Sequence, residues 1–272
     1  MQNFPMTQIG GYDISRMIIG TNTFFGYSHF SAAKDVWLRR YFTDERIHEM
    51  LVACVECGLN ATVSMPMERY RRIMDAVEKQ AGRHIIWFAT PGGATKEELK
   101  DNCKLAADLG AEFCMPHTSY TDTHLNAAEN IIYTMDEIFE HIRKLGMKTG
   151  FSTHLPGTLI TGEKGGYDPD CYILPLNSIG FLCLVETDWQ SRIIRQCPKP
   201  VICIKPLGAG RILPPTALDF VYRFIKPIDT VCVGMTSPEE VRENTAIALE
   251  CLEGLKRQEE MTFSRSKQQY IK

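Results

Sequence analysis

The stretch Thr230-Val-Cys-Val233-Gly234-Met-Thr-Ser237-Pro238-Glu-Glu240 decides how this chain is read. Its first four residues, rich in Val and Cys, suit a short strand buried on both faces. Gly234 turns the chain, Ser237 caps a helix, and Pro238 stands at the first helical position with two acids behind it. Together they spell one strand–loop–helix unit. Seven more apolar runs precede it, at 17–20, 60–64, 85–89, 112–115, 149–152, 171–176 and 201–204, separated by amphipathic stretches. Those stretches carry their own start signals. Thr43 opens 43–57, which Gly58 ends, and Thr95-Lys-Glu-Glu98 is a capping box closed by Gly110. Eight units predict an α/β fold, a single (β/α)8 TIM barrel. The run 181–185 competes for the sixth strand, but 171–176 is preferred because 187–197 reads as the following helix. Residues 7–15, with Gly10-Gly11 at their centre, predict an N-terminal β-hairpin across the barrel floor. The barrel is assigned to residues 1–257, and the polar stretch 258–272 to a surface tail.

Composition narrows the function classes. The chain has 272 residues, with 30 Lys and Arg against 33 Asp and Glu, so no basic surplus marks it for nucleic acid. No apolar run reaches the roughly 18 residues of a membrane span, and the first residues lack a secretory apolar segment. Ten cysteines without an export signal are expected to be reduced thiols, which places the protein in the cytoplasm. A small molecule is the expected partner, and a homo-oligomer is allowed.

In such a barrel the residues that end each strand face the active site. His117 and His154 end neighbouring strands, which lie about 4.8 Å apart, so their imidazoles could share a metal or a substrate oxygen. Glu186 could complete the set, with His29 approaching from a loop. Zinc, manganese or iron(II) would suit such ligands. The plainer alternative is that each histidine makes one hydrogen bond into a polar mouth. Lys205 is carried into the mouth by Val-Ile-Cys-Ile, where burial would lower its pKa for general-base or imine chemistry; alternatively it anchors an anion. Arg211 would assist with an anion, while Asn22 and Asn177 would orient the substrate. Gly234, Thr236 and Ser237 precede a helix N-terminus, where free N–H groups favour an oxyanion. Residues 22–40, with Phe24, Phe25, Tyr27, Phe30 and Trp37, read as a long aromatic lid.

Several segments carry a family resemblance. They are Arg16-Met-Ile-Ile-Gly20-Thr21, Cys57-Gly58-Leu59-Asn60, Gly150-Phe-Ser152-Thr153-His154, Pro206-Leu207-Gly208-Ala209-Gly210, and the stretch from Val233 to Asn244. The chain resembles the aldo-keto reductase barrel over most of its length. That resemblance implies NADPH and a tetrad of Asp, Tyr, Lys and His on strands two to four. Here Val63 stands in place of the Asp, Pro91 in place of the Lys, and Tyr70 is a distant substitute for the Tyr; only His117 matches. Thr153 stands where the nicotinamide-binding Asn belongs, and Ile204 where the stacking aromatic belongs. The stretch from Gly20 to Phe30, with Thr153-His154-Leu-Pro156, resembles a branch that departs from the tetrad. The expectation is therefore an acid/base lyase, aldolase or isomerase acting on a small polar carbonyl or sugar-like, anionic compound. His117, His154 and Lys205 would carry it, with a divalent transition metal ahead of NADPH as cofactor. The alternatives are a divergent NADPH-dependent aldo-keto reductase and a non-catalytic metabolite-binding barrel.

Overall fold

A computed structural model describes residues 4–254; the stretch 258–272 lies outside the described residues. The chain opens with the antiparallel hairpin β1 (Met6–Ile9) and β2 (Tyr12–Ser15). The barrel units follow as β3 (Met17–Gly20) with α1 (Ala32–Tyr41) and α2 (Asp44–Glu56), β4 (Ala61–Ser64) with α3 (Glu68–Ala81), and β5 (Ile86–Ala89) with α4 (Lys96–Asp108). Next come β6 (Phe113–Cys114) and α5 (Thr118–Thr121), a small hairpin of β7 (Leu125–Asn126) and β8 (Ile131–Ile132), and α6 (Met135–Lys144). The last units are β9 (Lys148–Ser152) with α7 (Pro156–Lys164), β10 (Cys171–Pro175) with α8 (Thr187–Gln196), β11 (Val201–Ile204) with α9 (Pro214–Phe224), and β12 (Thr230–Gly234) with α10 (Pro238–Glu253). Strands β3, β4, β5, β6, β9, β10, β11 and β12 pair in parallel in that order and close on themselves. The sixth barrel strand is the Cys171 run, as its burial on every residue requires.

Two apolar layers hold this arrangement. Inside the barrel, Ile18, Ala61, Ile86, Phe88, Phe113, Met115, Ile173 and Ile202 interdigitate, so the interior is packed rather than hollow. Ile9 and Ile14 of the hairpin join this cluster, which makes the hairpin a stopper for the floor. The second layer packs helices on the outer strand faces and contains Tyr70, Trp87, Phe139, Phe151 and Leu174. Gly150 is needed where β9 meets β10, because a Cβ there would come within 2.5 Å of the Cys171 carbonyl oxygen.

The lid differs from expectation. Half of 22–40 is the helix α1, started by Ser31, whose hydroxyl accepts from the Lys34 N–H. Only Leu38 of α1 is buried, so its sequence shows no apolar stripe. Local pairs support it instead: Trp37 stacks on Tyr41 at 4.7 Å and Lys34 covers Trp37 at 4.1 Å. No helix among the described residues is long and apolar enough to cross a membrane.

Candidate functional site

The strand register decides which side chains meet at the mouth. β6 and β9 pair Phe113 with Lys148 and Cys114 with Thr149. Continuing that register sets Ser152, not His154, beside His117. β9 and β10 pair Ser152 with Ile173, and β10 and β11 pair Pro175 with Ile204. His154 therefore stands level with Ile204, one residue short of Lys205, across a single intervening strand. Layers inside such a barrel are shared by alternate strands, and this one brings β9 and β11 together. Lys205 Nζ lies 3.1 Å from His154 Nε2.

Lys205 has a left-handed backbone (φ 61°), a conformation that costs a residue with a Cβ roughly 1–2 kcal/mol. The turn directs its side chain back over the mouth. Burial lowers its pKa from 10.5 to about 8, against a smaller upward pull from the thiols of Cys232 and Cys183. His154 falls to about 4, first through burial and then through the charge of Lys205, with His117 and His29 lowering it further when they are protonated. His117 is lowered by burial and by Lys205, against an upward pull from Asp122. These groups occupy one electrostatic neighbourhood.

Hydrogen-bond bookkeeping assigns protons within it. His117 caps α5: its Nδ1 accepts from the Ser119 N–H at 3.2 Å. An accepting Nδ1 on a neutral ring puts the proton on Nε2. Nε2 has no partner among the described residues. Behind His154, Asp122 accepts from the hydroxyls of Thr118 and Thr153 and from the His154 N–H at 3.0 Å. Thr118 Oγ1 lies 3.3 Å from His154 Nδ1. Sequence reading missed Thr118 and Asp122, which sit beyond the strand end on a one-turn helix.

Arg211 lies on the same rim. Its guanidinium covers the rings of Phe181 at 4.4 Å and Phe30 at 5.3 Å, and it donates to the carbonyls of Gly208 and His29. It thus ties the lid to the loops after β10 and β11. Asn22 Nδ2 stands 3.2 Å from His29 Nε2 at the lid's inner edge. Asn177 is spent elsewhere: it is fully buried, donates to the Phe181 carbonyl and accepts from the Phe181 N–H. Glu186 is exposed at the start of α8. The described residues hold no group of three or more His, Cys, Asp or Glu able to bind a metal, so the site expected of His117, His154 and Glu186 does not form. Register is the reason, since it pairs His154 with a lysine, a charge that repels cations.

The anion seat expected at Gly234, Thr236 and Ser237 is filled from within. The Glu240 carboxylate accepts from the Thr236 N–H at 2.7 Å and the Thr236 hydroxyl at 2.8 Å, while Ser237 Oγ caps the Glu240 N–H. A phosphate arriving there would meet a carboxylate. Thr153, in the position of the nicotinamide-binding Asn, donates its hydroxyl to Asp122, and Ile204 offers no ring for stacking. The particular nicotinamide and phosphate contacts that the resemblance implies are therefore not supplied by Thr153, Ile204 or residues 234–237. Tyr70 is no substitute acid either: it is buried between α3 and the sheet, bonded to Thr62 Oγ1 at 2.8 Å, and burial raises its pKa.

Comparison with known proteins agrees with the fold. No family model matches the sequence, and no curated protein does. Among solved structures, the barrel matches a protein assigned as an aldo-keto reductase from Pseudomonas aeruginosa over 92% of this chain and 98% of that one, with a TM-score of 0.64 and 14% identity. An aldo-keto reductase from Bacillus halodurans in its holo form is matched over 99% and 95%, with a TM-score of 0.59 and 11% identity. A glycerol dehydrogenase from Gluconobacter oxydans is matched over 95% and 99%, with a TM-score of 0.58 and 11% identity. The chain has an aldo-keto-reductase-like barrel. These neighbours, reductases and a dehydrogenase, overturn the expectation of a lyase, aldolase or isomerase.

Proposed function

We propose that the chain is an aldo-keto-reductase-type oxidoreductase that interconverts a small carbonyl compound and its alcohol, with Lys205 protonating the carbonyl oxygen. The observation that carries this reading is the Lys205 amine at the C-terminal mouth of the barrel, 3.1 Å from His154 and in the field of His117. Carbonyl reduction needs a hydride at carbon, which a reduced nicotinamide would supply when bound, and a proton at oxygen, which this chain's own residues account for. With its pKa brought to about 8, Lys205 is charged at neutral pH yet gives its proton up more readily than a solvated lysine. The His117 Nε2–H is a second donor for the same oxygen. Asn22, His29 and Arg211 orient the substrate from the lid side. Buried thiols such as Cys54, Cys103, Cys114 and Cys203 support a reducing, cytoplasmic setting.

The test offers NADH and NADPH separately with a panel of small aldehydes, ketones and sugars, following loss of the reduced nicotinamide. Turnover that falls about 100-fold or more in Lys205→Met supports the reading. Absence of turnover with every carbonyl and both nucleotides overturns it.

A further inference from the structure

We infer that Thr118 and Asp122 are positioning residues: they fix the tautomer of His154 so that its Nε2 lone pair holds the amine of Lys205. The inference rests on the reductase reading for its chemical purpose, but its structural content stands apart from it. A threonine hydroxyl has one proton, and that of Thr118 goes to the Asp122 carboxylate. Thr118 Oγ1 can then serve His154 only as an acceptor, which puts the ring proton on Nδ1. Nε2 is left as a lone pair facing Lys205 Nζ. One ammonium N–H is held there, and the other two can turn toward a substrate oxygen.

Asp122 is itself kept in place. Both its oxygens are engaged, by Thr153, which is 1% exposed, and by Thr118 together with the His154 backbone. A carboxylate held by three donors keeps the polarity of the chain from reversing. The logic resembles a buried acid orienting a histidine toward a reactive group, here with a hydroxyl between acid and ring and an amine as the group oriented. The other titratable or charged groups facing Lys205 are His29, His117, Cys183 and Cys232, with Arg211 on the same rim. None of them supplies an acceptor to the amine among the described residues.

Long-range nitrogen–proton NMR on histidine-labelled full-length protein at pH 7 reads the tautomer, with the His154 signal assigned through His154→Gln. The expected wild-type result is a protonated Nδ1 and a bare Nε2; protonated Nε2 overturns the inference without any variant. An amide at 122 would keep its oxygen toward the His154 N–H and Thr118, so the informative variant is Asp122→Ala: without the carboxylate the Thr118 hydroxyl turns its proton to Nδ1, and the ring proton moves to Nε2. The Lys205 titration midpoint, followed on labelled lysine, should then fall by about one unit, because a donating Nε2–H favours the neutral amine. Thr118→Val should act likewise, and Thr118→Ser should restore the wild-type tautomer. An unchanged tautomer in a folded Asp122→Ala overturns the inference. Where reduction is observed, the alkaline limb of its pH profile should move down with the Lys205 midpoint in Asp122→Ala. A wild-type tautomer as expected in a protein that reduces no carbonyl would leave the positioning role standing and remove the reductase reading; the reverse pattern would remove the positioning role alone.

Discussion

Two histidines at opposite ends of the barrel show how differently those ends are built. At the floor, His84 sits between two carboxylates, with Nδ1 2.8 Å from Glu78 and Nε2 2.5 Å from Glu112. The same acids accept from the Ile85 and Trp87 N–H groups at the start of β5. Charge at this end is matched locally and tied to the backbone. At the mouth, His154 faces an amine, and no carboxylate forms a salt bridge with Lys205 or Arg211 among the described residues. A buried cation without a counter-ion lowers stability, and proteins retain such groups where chemistry uses them. Charge is matched at the floor and left unmatched at the mouth.

That contrast can be broken experimentally, and the largest effect belongs to the mouth. Lys205→Met should lower reductase turnover by about two to four orders of magnitude while raising unfolding stability by about 1 kcal/mol, read from urea midpoints. Acid should come next. His154 titrates near 4 in the folded chain against an ordinary 6.5, so the unfolded chain binds more protons between those values. Stability should therefore fall as pH drops from 6.5 toward 4, by on the order of 2–3 kcal/mol, and His154→Gln should remove that part of the slope. Lys205 has the same sign at higher pH. Its destabilisation is complete below about 8 and fades as pH rises toward 10.5, so wild type should gain on Lys205→Met over that window.

The floor should give the opposite pattern. His84→Ala should cost no more than about 1 kcal/mol in urea unfolding and leave turnover within twofold, because its ring is half exposed and its partners are structural acids. A loss of turnover there would show that the two ends are coupled. The smallest effect is expected at α10. Glu240→Gln should tighten NADPH binding about tenfold in a fluorescence titration, by taking a negative charge out of the anion seat. Unchanged affinity would mean that the nucleotide does not use this helix.

Much of the fold was legible because buried parallel strands are short, continuous and apolar. Met17–Gly20 and Val201–Ile204 are strands over the residues their composition marks, and Cys171 outcompetes Phe181 because a helix start follows at Thr187. Exposed elements were illegible. α1 has no apolar stripe, and the β7–β8 hairpin is two residues per strand. The candidate site was half legible. Its members His117, His154 and Lys205 follow from strand ends, but their partnership does not. Neighbouring strands suggested a pair of histidines, whereas register and the alternation of inward-facing layers join His154 to Lys205. Asp122 reaches the site through one turn of helix after β6, a path that no periodicity in the sequence marks.

The stopper at the floor has a kinetic consequence. With Ile9 and Ile14 sealing one end and packed side chains filling the middle, molecules reach Lys205 only from the mouth. Whatever binds beside Lys205 therefore exchanges with solvent past the loops of the mouth, at a rate that the floor hairpin does not set.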